Sequence, residues 1–64
     1  MGVKLLKYYE FAKQKGGFEA QMRLAMKTGI SAKKAENVPD SPENIQKFKK
    51  ALKEILKISN IPDF

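Results

Sequence analysis

The chemistry of this chain is concentrated in seven residues: Ser31, Lys33 and Lys34 in one short stretch, and Lys49, Lys50, Lys53 and Lys57 in another. A lysine ammonium is a point charge with three donors, suited to phosphate oxygens and incapable of bond-making without a partner. Lysines grouped in this way can neutralise phosphates and release their condensed counterions. The same residues on a helix face also serve simply to keep it in water. Catalysis has far less to work with. There is no histidine and no cysteine, which removes the usual general base, the thiolate nucleophile and the commonest metal ligands. Ser31, Ser41 and Ser59 lack a base, and the carboxylates fall in capping or surface contexts. Gly16 and Gly17 are too few to cradle a phosphate, and no strand precedes them as phosphate loops require. The residues therefore predict a non-enzymatic protein with no cofactor, no metal site and no small-molecule substrate.

Charge is distributed unevenly. The 64 residues hold 13 Lys and Arg against 7 Asp and Glu, a net charge of +6. Residues 1–34 carry most of the excess. Residues 35–46 contain Glu36, Asp40 and Glu43 with no base, and the basic excess resumes from Lys47 onward. An acidic connector thus separates two basic regions whose field favours polyanions or an acidic protein surface. No apolar run approaches the ~20 residues of a membrane span, and MGVKLLKYYE lacks the apolar core of a signal peptide. A soluble cytoplasmic protein is the expectation. Position 2 is glycine, but Leu6 stands where a myristoylation signal wants Ser or Thr.

The elements that must position the lysines are all helical. From Val3 to Lys15, Leu5, Leu6, Tyr8, Tyr9 and Ala12 fall on one side of a helical wheel, with Lys4, Lys7, Glu10 and Gln14 opposite. Gly16 and Gly17 end this helix and allow a reversal. Phe18 to Thr28 reads as apolar on two sides, Phe18, Met22, Ala25 and Met26 on one and Ala20 and Leu24 on the other, which predicts a central helix covered on both. Gly29 can take the left-handed conformation that stops it. Ser31 can cap a short third helix ended by Asn37, Val38 and Pro39. Ser41, Pro42 and Glu43 then make a strong helix start. Beyond it Ile45, Phe48, Ala51, Leu52, Ile55 and Leu56 form a wide apolar face opposite the lysines, and packing in the core is its expected use.

The expected architecture is an all-α bundle of three main helices and one short one, near residues 3–15, 18–28, 31–37 and 42–58, forming a single domain over 1–64. Its expected core is Leu5, Tyr9, Ala12, Phe18, Met22, Leu24, Ala25, Ile30, Ile45, Phe48, Leu52, Ile55 and Leu56. Residues 59–64 form either a loose tail or one that folds back through Ile58, Ile61 and Phe64. At 64 residues the stability margin of such a domain is thin.

RLAMKTGIS resembles the second helix and turn of the phage-repressor and Cro type of helix-turn-helix, with Ala25 and Gly29 in the characteristic places. AKQKGG resembles the end of that family's first helix, and SPENIQKFKKAL the helix after its recognition helix. The resemblance covers residues 13–52 and implies DNA binding, with Ser31, Ala32, Lys33 and Lys34 at the groove-facing start of the recognition helix. The chain departs from the pattern in one respect. Residues 32–37 are about one turn short of that family's recognition helix, and Ala35 stands where a branched apolar residue is usual, which favours phosphate contact over base readout.

Two functions follow. One is nucleic-acid binding through Ser31, Lys33, Lys34, Lys49, Lys50, Lys53 and Lys57. The other is a protein-interaction or regulatory module, with a protein partner or a second copy of the chain.

Overall fold

In the computed structural model, which describes residues 2–64, the chain is all-α, with α1 over Val3–Thr28, α2 over Ala32–Ala35 and α3 over Pro42–Leu56. Among the described residues there is no strand.

α1 contains both expected N-terminal helices. A straight helix of its 26 residues would be about 39 Å long, yet the longest dimension of the molecule is 26 Å. The fold-back occurs at Gly17, whose φ of 74° and ψ of −167° are non-helical. This is a conformation that only glycine adopts without steric cost. One residue makes the reversal, so Gly16 stays in the first half rather than forming a two-residue break. The two halves then lie side by side, with Gln21 Nε2 donating to the Tyr9 carbonyl at 2.9 Å.

α3 packs against both halves. Its direction follows from its neighbours. Phe48 meets Tyr8 and Tyr9 with ring centroids 6.2 and 5.6 Å apart, and Leu56 approaches Gly16, so the first half of α1 runs parallel to α3. The second half runs antiparallel, with Ala20 near Ile55 and Leu56 and Lys27 near Lys47 and Lys50. Leu5, Tyr8, Tyr9, Ala12, Ala20, Leu24, Ile30, Ala35, Phe48, Ala51 and Leu52 form the core. Ala25, Ile45, Ile55 and Leu56, expected in the core, are only partly buried around it.

Phe18 and Met22 correct the expected core outright. Phe18 is 70% exposed, Met22 53% and Met26 81%. Only the Ala20 and Leu24 side of this half-helix is covered. The second apolar side faces outward because the one remaining long helix already lies on the first.

Helix ends follow local chemistry more closely. Ser41 Oγ accepts from the Asn44 amide at 3.2 Å, with Pro42 at the start and Glu43 in the first turn. Lys57 adopts φ 56° and ψ 41°, so α3 stops at Leu56, short of the expected residue 58. α2 is likewise shorter than expected, four residues capped by Ser31, which accepts from Lys34 N. The Asn37 amide bonds back to the Lys34 carbonyl at 3.0 Å, tightening the chain into a turn.

α1 has no side-chain cap of its own. Asp40 supplies one from the connector, accepting from Lys4 N at 3.2 Å and from Leu5 N at 3.3 Å. A carboxylate there satisfies two orphan amides and meets the positive end of the helix dipole. Asp40→Ala should cost about 1 kcal/mol, read as a lower urea midpoint, while Asp40→Asn should recover part of it. An unchanged midpoint in the alanine variant would show that solvent caps α1 equally well.

The tail folds back. Phe64 packs edge-on against Tyr8 with centroids 4.9 Å apart and lies against Phe11 at 5.9 Å. Asp63 makes an ion pair with Lys49. Ile58 is exposed and contributes little.

Candidate nucleic-acid interface

The turn between α1 and α2 is built by three residues in succession. Thr28 Oγ1 donates to the Leu24 carbonyl at 2.7 Å and accepts from the Ile30 amide at 3.2 Å. Gly29 takes φ 73° and ψ 9°, and its amide bonds to the Ala25 carbonyl. Ile30 then enters the core, and its carbonyl accepts from the Tyr9 hydroxyl, which locks the turn to the first half of α1. Burial pushes the Tyr9 hydroxyl above its ordinary pKa, partly opposed by a hydrogen bond with Thr28. A side chain at Gly29 would meet open space, so only its backbone conformation resists substitution. Gly29→Val should therefore cost about 1–2 kcal/mol for a left-handed residue, with the β-branch adding to it. Thermal melts measure this, and a variant as stable as the parent would refute a left-handed Gly29.

The expected lysines are divided between α2 and the region of α3. Lys33 and Lys34 lie in the last turn of α2, both exposed, and Ser31 is occupied as the cap of that helix. Lys49 is held by Asp63, which raises its pKa and lowers that of Asp63. Lys53 and Lys57 are exposed on α3. Lys50 alone of the α3 group joins a cleft, where it meets Lys47 from its own helix and Lys27 and Thr28 from the end of α1. Glu54 closes one side of this cleft. It pairs with Lys27 at 2.9 Å rather than with Lys50, and the Lys27 hydrogen bond holds its carboxyl below the ordinary carboxylate range.

Lys27 and Lys47 were not among the residues that sequence singled out. The signal for Lys47 was its place three before Lys50 on the same helix. Lys27 stands in the last helical turn before Gly29. Nothing local indicated that the two would meet, because their meeting depends on the antiparallel packing of the second half of α1 on α3.

Lys27, Thr28, Lys47, Lys50, Ala51 and Glu54 line this cleft, with Lys27 paired to Glu54. Among the described residues, no group of His, Cys, Asp or Glu could hold a metal ion, and no helix is long and apolar enough to cross a membrane. The chain matches no protein-family model, and neither a curated protein nor a solved structure shows significant similarity to it.

Proposed function

We propose that this protein is a non-enzymatic, cytoplasmic binding module that holds nucleic acid by its phosphate backbone, in a helix-turn-helix-like arrangement whose third helix is reduced to one turn. The convergence of Lys27, Lys47 and Lys50 on one cleft carries this reading, because the cleft adjoins the Gly29 turn that leads to Lys33 and Lys34. Lys47 and Lys50 at the edge of a concavity, beside the Lys27 pair with Glu54, add to the field that a net charge of +6 supplies. α2 is about 6 Å long for its four residues, too short to lay a row of side chains along a major groove. Phosphate contact without base readout follows from that length. Lys53 and Lys57 extend the positive field, whereas Lys49 is neutralised in its pair with Asp63 and contributes less.

Duplex DNA titrated at several salt concentrations tests the reading. Each phosphate neutralised contributes a log–log slope of roughly −0.9. Replacing Lys47 and Lys50 together by Gln should flatten the slope by about two, and so should replacing Lys33 and Lys34. Equal losses from Lys4 with Lys7, which lie on the first half of α1, would refute a localised interface.

A second reading, a protein-interaction module, is favoured by a different observation: the exposed Phe18, Met22 and Met26.

A further inference from the structure

Residues 61–64 lie against the first half of α1 and α3, and among the described residues no hydrogen bond between backbone groups holds them there. Their ties run through side chains. Phe64 packs on Tyr8 and Phe11 with centroids 4.9 and 5.9 Å away, its backbone meets the Tyr8 hydroxyl, and Ile61 packs at the edge of the core. Asp63 pairs with Lys49, but its side chain is 82% exposed, and an ion pair so wet contributes little. The chain is turned into this groove at Lys57, the one non-glycine residue with a positive φ among those described. That conformation carries a steric cost outside glycine. Phe64 itself is only partly buried, and a hollow of about 220 Å³ opens beside it and Pro62, bordered by Lys7, Glu10, Phe11 and Gln14. The groove is larger than its occupant.

We propose that this tail is a displaceable strap, and that the groove beneath it takes a segment of another protein in which an acidic residue is followed directly by a large aromatic one. The strap itself shows the chemistry that the groove accepts. Asp63 marks the anionic position, where Lys49 meets it and Lys4 lies close enough to add its attraction. Among the described residues neither lysine pairs with another carboxylate, so both are open to an incoming one once Asp63 leaves. Phe64 marks the aromatic position on Tyr8 and Phe11, and the adjoining hollow has room for a wider ring. Tethering holds the strap at an effective concentration of about millimolar, which a partner overcomes by burying more of its ring. A basic segment would meet Lys49 and Lys4 with the wrong sign. The groove lies along the first half of α1 and the lysine cleft at the end of that helix, so the proposal is independent of nucleic-acid binding there.

The test titrates two capped peptides, Ser-Asn-Ile-Pro-Asp-Trp and Ser-Asn-Ile-Pro-Lys-Trp, into isotope-labelled full chain and follows amide shifts. A full-length variant carrying Asp63→Ser and Phe64→Ser presents the groove open. It should bind the Asp-Trp peptide with a Kd of roughly 0.1 mM, with shifts at Tyr8, Phe11 and Lys49, and the Lys-Trp peptide about tenfold more weakly. The parent should bind the Asp-Trp peptide about tenfold more weakly than the open variant, because a strap tethered at about 1 mM competes, and its Phe64 amide should move as the strap leaves. Adding Lys49→Gln to the open variant should remove most of the preference for Asp over Lys. Equal binding of the two peptides overturns the proposal, as does binding of neither. Equal affinity in parent and open variant places the site outside the strap and overturns it too. Should circular dichroism show the open variant unfolded, the parent decides alone, and a Phe64 amide unmoved by millimolar Asp-Trp peptide overturns the proposal. Strap-dependent binding of a thymidine oligonucleotide without peptide binding overturns it in favour of single-stranded nucleic acid, whose bases would stack on the same rings.

Discussion

Replacing Phe48 by Ala should remove about 3–5 kcal/mol of stability and leave much of the protein unfolded at room temperature. Phe48 is fully buried and is the only residue of α3 whose ring touches both tyrosines of α1. Truncation therefore loses the transfer energy of the ring, opens a cavity between two helices and breaks two aromatic contacts. A chain of 64 residues has few other core contacts to compensate. Urea titration followed by far-ultraviolet circular dichroism reads the effect directly. Phe48→Leu, which refills most of the volume, should recover more than half of the loss. Equal midpoints for parent and alanine variant would mean that α3 does not pack on α1 through Phe48.

Gly2→Ala should cost about 3 kcal/mol, the upper end for a single overpacked methyl. A Cβ at Gly2 would lie 2.0 Å from the Ala35 carbonyl oxygen and 2.8 Å from that of Val38. Both are backbone atoms and no change of rotamer moves them away. Relief requires either the start of α1 or the end of α2 to withdraw, and the second choice would pull Ala35 out of the core, where it is fully buried. A lower thermal midpoint, together with loss of amide protection near Ala35, is the expected result. A variant that melts with the parent would show that Gly2 is not seated against α2.

Features governed by near neighbours were legible in the sequence. Ser41, Pro42 and Glu43 announced the start of α3, and Gly29 announced the end of α1, because caps and left-handed residues act within about one turn. The apolar face of α3 was legible for a similar reason, as was the burial of Leu5, Tyr9 and Ala12. Phe18 and Met22 were not. Periodicity shows that a half-helix has two apolar sides, and says nothing of how many partners exist to cover them. Tyr8, absent from the expected core, is fully buried, and Phe64 returns from the tail to pack against it. In the candidate interface, Lys33, Lys34 and Lys50 were legible as exposed cations. The pairing of Lys49 with Asp63 and the meeting of Lys27 with Lys47 were not, since both depend on tertiary packing. Asp40 read as one charge of an acidic connector, and its role at α1 lies 35 and 36 residues away.

Asp40 and Ser41 are consecutive, yet they finish different helices. Ser41 caps α3 three residues on, and that bond can form as soon as the local chain turns. Asp40 reaches the start of α1 only after the reversal at Gly17, the Gly29 turn and α2 have brought the connector back. Closing a loop of that length costs chain entropy before any contact returns it. The cap of α1 is therefore a long-range contact and that of α3 a local one, so two adjacent residues of the connector tie the starts of both helices together.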